Sequence, residues 1–299
     1  MRRITESASH SSSGCKIGIV RAARPVSASA PPAVPAEPRP AASVLLVREA
    51  VDAREPLEVY MIRRNRGMKF LGGYYAFPGG KVDPADAMSE SLARCWGLTT
   101  EMAEGLFPAT AGAPALAFWM TAVRELLEES GVLLACDRHG RPIDAAQPDE
   151  AAAIERCRKA LMAGEAPFAD LLAREGWYAD VRPLAYLSHF VTPRTSPIRF
   201  AARFFLGALP RGQHPRLFTE EASEGFWIHP GEGYRRFVAG QMAMAEPAEY
   251  ALGYLAQFPS LDELRVASAD SREKFHGIVH RIDSFWANFD WKANRWPSR

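Results

Sequence analysis

The chain has 299 residues, with 36 basic side chains against 35 acidic ones and a formal charge of +1. That near-balance, without any long Lys/Arg run or apolar stretch of bilayer length, excludes nucleic acid or a membrane as the main partner. A hydrophobic content of 47%, with seven Trp and sixteen Phe, supplies a real core, and the four scattered cysteines (Cys15, Cys95, Cys136, Cys157) form no CxxC pair that would suggest a zinc or disulfide scaffold.

Residues 1–42 are rich in Ala, Pro and Ser and are expected to be a disordered leader. The opening MRRITESASHSSSG is basic and Ser-rich, but no apolar signal-peptide core follows it. Strands are predicted at 43–48 (SVLLVR) and 57–63 (LEVYMIR), separated by a polar connection that lets them pair as a hairpin. GGYYAFPGGKVD (72–83) reads as a short aromatic strand broken into a sharp loop at Pro78-Gly79-Gly80. Helices are predicted at 87–107 and 114–134, the second capped by Gly131, and further helical stretches fill 148–176. Strands resume at 183–188, 198–206 and 225–229, and short helices follow from Gly231. Strands, a helix, strands and helices in that order predict a mixed α/β sandwich.

RELLEESG (124–131) carries the chemistry. Arg124, Glu125, Glu128 and Glu129 stand at offsets that fall on one side of a 3.6-residue helix. Such a face is either simply solvated or neutralised by a cation, because like charges this close repel. Converging glutamates make a hard-oxygen site of the kind Mg²⁺ or Mn²⁺ takes, and Arg124 can fix one carboxylate by a charge-assisted hydrogen bond. Upstream, the glycines of Phe77-Pro-Gly-Gly80-Lys-Val-Asp83 permit close backbone approach to a ligand, although PGG alone is an ordinary turn.

Together the two pieces resemble the Nudix box, G-x5-E-x7-R-E-U-x-E-E-x-G-U with U a bulky aliphatic. Residues 124–132 match its second half at every fixed position, and Gly80 fits the leading glycine. Two departures stand out. Asp86 occupies the first Glu position, and 37 residues separate Asp86 from Arg124 where the pattern has seven. The insertion, placed at 87–123, contains ARCWGLTTEMAEG, which reads as a helix of its own. A long insertion is tolerable there because closure entropy grows only logarithmically with length.

The resemblance implies a Nudix-type α/β/α sandwich with a mixed sheet over 43–265, a helical insertion in the box, C-terminal helices, and a helical, aromatic extension at 266–299. It implies hydrolysis of the pyrophosphate bond in a nucleoside-diphosphate-linked small molecule, with Mg²⁺ or Mn²⁺ held by Glu128 and Glu129. Glu125 would be a further ligand or the base that activates water, and Arg124 would orient a glutamate. A further acid is expected from Glu220, Glu221 or Glu224, or from Asp86; the stretch around the first three reads equally as an exposed loop.

Relatives that cleave coenzyme A share L-L-T-x-R-[S/A]-x3-R-x3-G-x3-F-P-G-G. Here the spacing survives with Arg64 and Lys69 at the two basic positions and Gly73 at the glycine, while Tyr60-Met61-Ile62 replace L-L-T. Arg64 and Lys69, with Gly79 and Gly80 of the loop, are the substrate-binding candidates; RRNRGMK also reads as a plain charged hairpin connection. The split box, FLGGYYAFPGGKVDPAD and HFVTPRTSPIRFAARFF resemble the peroxisomal (acyl-)coenzyme A diphosphatase branch of the family. The expected reaction therefore converts CoA or acyl-CoA into 3′,5′-ADP and (acyl-)4′-phosphopantetheine. The alternatives are an ADP-ribose, NADH or nucleotide-sugar pyrophosphatase, or a catalytically degenerate binding or regulatory module. The chain ends in PSR rather than a Ser-Lys-Leu-type signal, so the expected address is a bacterial-type cytoplasm. The histidines show no ligand spacing, and the aromatic cluster of Phe285, Trp286, Phe289, Trp291 and Trp296 reads as core packing or a homodimer contact.

Overall fold

A computed structural model describes residues 36–50, 56–194, 196–217, 222–269 and 274. In chain order they form β1 (Arg39–Glu49), β2 (Leu57–Arg64), β3 (Tyr75–Ala76), β4 (Gly79–Lys81), a 3-10 turn (Pro84–Ala87), α1 (Ser89–Leu92), β5 (Cys95–Trp96), α2 (Thr100–Leu106) and α3 (Ala115–Ser130). Then come β6 (Ala135–Cys136), α4 (Pro148–Met162), α5 (Phe168–Arg174), β7 (Tyr178–Asp180), β8 (Ala185–Val191), β9 (Phe200–Ala208), β10 (Ala222–Ile228), α6 (Pro230–Val238), α7 (Glu246–Leu255) and α8 (Leu261–Ser268).

The main sheet runs β10-β2-β1-β9-β8, with β3 paired to β2 and β4 paired to β1. It is mixed, since β1 and β9 are parallel while β1–β2, β1–β4, β2–β10 and β8–β9 are antiparallel. β1 is central because both its faces are apolar: Val44 and Leu46 enter one core, Leu45 and Val47 the other. The first core packs α3, α4 and α5 against the sheet, and the second packs α6, α7 and α8. This is the expected α/β/α sandwich.

Several boundaries differ from the sequence reading. β1 begins at Arg39, four residues inside the expected leader, because Arg39–Ala42 have β9 to pair with on one side, and Ala41 and Ala42 have β4 on the other. The insertion is not one helix. Cys95 and Trp96 form β5, which pairs in parallel with β7 in a second small sheet, and only then does α2 begin. Thr99 caps α2 by accepting the Met102 N–H at 3.2 Å. The last nine residues of the span 87–123 belong to α3 itself. The insertion is anchored by Phe107, which stacks on Trp119 of α3 at 5.1 Å between ring centres and meets Tyr186 of β8 at 4.8 Å. α3 stops at Ser130, short of the expected 134, on its expected cap Gly131, whose backbone is left-handed at φ 71°. The rest of the leader (1–35) and the C-terminal aromatic cluster lie outside the described residues.

Candidate active site

α3 carries the four charged residues on the face turned to β4. Arg124 is buried, and its guanidinium is fully engaged. Nε donates to Asp86 Oδ2 and Oδ1 at 3.0 and 3.1 Å, and Nη2 donates to Asp86 Oδ2 and the Lys81 carbonyl, both at 2.9 Å. Nη1 donates to Glu125 Oε1 at 2.9 Å and Glu128 Oε1 at 3.0 Å. Burial works against the cation, but the charges of Glu125 and Asp86 outweigh it and hold Arg124 protonated.

The glycine loop docks onto the same helix face. The Gly79 N–H donates to Glu129 Oε2 at 2.7 Å. Gly80 lies against the Glu125 carboxyl so closely that any Cβ there would overlap both oxygens. Register explains the placement: Gly79 and Gly80 pair with Ser43 and Ala42 of β1, which brings the loop beneath α3. Burial is the main reason that the Glu125 carboxyl is pushed up to about 7; Arg124 opposes this and Glu128 adds to it. Tyr60, buried on the same side of the sheet, has its phenol pushed up to about 12 by burial and by Glu129.

Asp86 is not a free acid at this site. It is 2% exposed and is consumed by Arg124, by the Thr121 hydroxyl at 2.8 Å and by the Asp83 N–H at 3.2 Å. It therefore serves as the anchor of Arg124, which corrects the expectation of a further free acid at this position. Glu224 is not brought to the glutamates either. It pairs with Arg63 across β10–β2, on the face turned away from α3, and its carboxylate is 3.8 Å from the Arg63 guanidinium. A bulge between Ala222 and Glu224 sets that facing. Glu220 and Glu221 lie outside the described residues. Arg64 ends β2, its Nε donating to the Phe70 carbonyl over a long 3.4 Å, while Lys69 is exposed on the following hairpin loop. Gly79 and Gly80, the expected substrate-binding glycines, lie against Glu129 and Glu125. Thr121 was missed, although its place three residues before Arg124 and four before Glu125 puts it on their helix face.

Three carboxylates (Asp86, Glu125, Glu128) face one guanidinium, Glu129 stands beside them on the Gly79 N–H, and this excess of negative charge suits a hard divalent cation. Glu125, Glu128 and Glu129 are the side chains that would hold it. Among the described residues no three acidic, His or Cys side chains converge as a group that could hold a metal ion by themselves. His229 serves the fold, its Nδ1 lying 3.2 Å from the Leu57 carbonyl. Among the described residues no helix is long and apolar enough to cross a membrane.

Comparison with known proteins points in one direction. A protein-family model described as the NUDT19 Nudix domain matches residues 38–255. A Gallus gallus protein described as acyl-coenzyme A diphosphatase NUDT19 is 30% identical over 271 residues, covering 78% of this chain and 71% of that protein. Putative nudix hydrolase 7 of Caenorhabditis elegans is 30% identical over 224 residues, covering 75% of this chain and 62% of its own length. Among solved structures, the crystal structure of a NUDIX hydrolase from Alicyclobacillus acidocaldarius is 30% identical, covers 77% of this chain and 96% of its own, and superposes with a TM-score of 0.63.

Proposed function

This chain belongs to the Nudix hydrolases of the NUDT19 type, and on that premise we propose that it hydrolyses the pyrophosphate bond of coenzyme A or an acyl-CoA, giving 3′,5′-ADP and (acyl-)4′-phosphopantetheine. The observation that carries the reading is the assembled box: Arg124 joins Asp86, Glu125 and Glu128 while Gly79 and Gly80 dock on Glu129 and Glu125, across the insertion. The CoA assignment draws on the described activity of the chicken relative and on the basic pair Arg64 and Lys69 ahead of the glycine loop, suited to the additional phosphate of CoA.

Glu125 is the group proposed to take the proton of the attacking water, since a carboxyl near 7 can both accept and release it at neutral pH. The water oxygen joins phosphorus, the bridging P–O bond breaks, and the leaving phosphate keeps the electron pair. Arg124 Nη1 bridges the Glu125 and Glu128 carboxylates, at 2.9 and 3.0 Å. Glu128 and Glu129 are the proposed carboxylates for Mg²⁺ or Mn²⁺, which when bound neutralises phosphate charge and acidifies water.

The test is a turnover panel with Mg²⁺ and Mn²⁺ over CoA, short- and long-chain acyl-CoA, ADP-ribose, NADH and a nucleotide sugar. CoA or an acyl-CoA is expected to be the best substrate, with 3′,5′-ADP as product. Glu128→Gln and Glu129→Gln are each expected to lower that turnover roughly a hundredfold or more in folded protein. ADP-ribose turnover far above that of every CoA compound would overturn the substrate assignment.

A further inference from the structure

We propose that Thr121 is a positioning residue of this active site: its buried hydroxyl makes up for the short Asp86 side chain and so fixes Arg124 against Glu125 and Glu128. The inference rests on the hydrolase reading above.

Thr121 is completely buried in the middle of α3. A hydroxyl at such a place commonly returns its single proton to the carbonyl one turn earlier. Here the proton goes across to another element, to Asp86 Oδ2 at 2.8 Å. That oxygen also accepts Arg124 Nε and Nη2 and the Asp83 N–H. Asp is shorter than Glu by one carbon–carbon bond, about 1.5 Å, so the backbone that carries it must come closer to α3 to reach the same guanidinium. The 3-10 turn achieves part of this, since Asp83 and Asp86 cap it reciprocally. Thr121 supplies the rest, as a donor on α3 that draws the turn inward.

Geometry makes the effect directional. Thr121, Arg124, Glu125 and Glu128 stand at i, i+3, i+4 and i+7 on one helix face. The carboxylate held by Thr121 is the one that fixes the Nε edge of Arg124, and the opposite nitrogen, Nη1, reaches Glu125 and Glu128. Removing the hydroxyl leaves Asp86 held to α3 by Arg124 alone, and the fork can then tilt off the two glutamates. The contact also joins the two ends of the insertion, because Asp86 stands just before it and Thr121 lies near its end, in α3.

The test compares Thr121→Val, which keeps shape and loses the donor, with Thr121→Ser, which keeps the donor. A third variant, Thr121→Ala with Asp86→Glu, restores carboxylate length in the space released, and Thr121→Ala alone is its control. Three measurements are made on full-length protein: kcat and KM for the best panel substrate, Mn²⁺ affinity by EPR without substrate, and the Arg124 Nε–H resonance in ¹H–¹⁵N spectra without metal. Thr121→Val is expected to lower kcat at least tenfold with KM within twofold, to weaken Mn²⁺ binding, and to broaden the Arg124 resonance. Thr121→Ser is expected to stay within threefold of the parent on all counts, and the double variant to recover most of what Thr121→Ala loses. A folded Thr121→Val with parental kcat, Mn²⁺ affinity and Arg124 resonance overturns the proposal, even if its Tm is lower. If Thr121→Val does not fold, the Ala pair decides: recovery by Asp86→Glu supports the proposal and its absence overturns it. Failure of the hydrolase reading looks different, since the parent itself would then turn over nothing while the Arg124 resonance still tracked the Thr121 hydroxyl.

Discussion

Glu125 is where charge, burial and chemistry meet most sharply. Its carboxyl is pushed up to about 7 by burial first of all, with Arg124 pulling the other way. A raised acid means that the folded chain holds a proton that the unfolded chain has already released. Between the ordinary Glu range and about pH 7 stability therefore falls as pH rises, and above that window the penalty is fully present and flat. In the proposed function a divalent cation on Glu128 and Glu129 would favour the neighbouring ionised carboxylate and offset the penalty. The expected outcome is a Tm in EDTA that declines from about pH 5 to pH 7.5 and a much flatter profile with saturating Mg²⁺. A flat profile in EDTA would show that Glu125 titrates normally. At this scale the sequence was legible where helical spacing alone determines placement, as in Arg124 and the three glutamates. It was not legible at Asp86, whose role depends on which donors the fold brings to it, nor at Glu224, whose facing depends on a β-bulge.

Among the elements, α3 and the insertion determine one another. Phe107, just past α2, lies parallel to Trp119, meets Phe118 edge-on at 5.7 Å and carries the Arg203 guanidinium 4.0 Å above its ring. The insertion thus contributes a core residue to the helix that bears the glutamates. Phe107→Ala is expected to cost about 3–5 kcal/mol of unfolding free energy, read by urea denaturation. A loss under about 1 kcal/mol would mean that the insertion is only loosely attached. Its helical character was partly visible in the sequence, where ARCWGLTTEMAEG reads as a helix. The two-residue β5 was not, because it exists only through pairing with β7, more than 80 residues later, and no local signal announces such a partner.

At the scale of the whole molecule the central strand joins everything. β1 contributes to both cores, pairs in parallel with β9 over nine residues, and holds β4 beneath α3. Its first four residues lay inside the expected leader because Arg-Pro-Ala-Ala has little strand propensity of its own; tertiary pairing overrides that. Two truncations separate the readings. A chain starting at Arg39 keeps the strand whole, whereas one starting at Ser43 loses the backbone partners of Gly80 and Lys81. The shorter chain is expected to melt roughly 5–10 °C lower and to lose most turnover. Equal Tm and activity in the two would show that Arg39–Ala42 contribute nothing. The sandwich itself was legible from the order of elements, since strand runs and helical periodicity survive without knowledge of pairing.

The insertion also governs when the site comes into being. The bond from Gly79 to Glu129 joins residues 50 apart, and those from Arg124 to Asp86 join residues 38 apart. Helix α3 can form locally within microseconds, but its glutamates meet their glycine loop only after a long intervening segment has been closed. Recovery of activity during refolding should therefore trail the return of helical signal, making turnover a reporter of the last step of folding rather than of the helix that carries the motif.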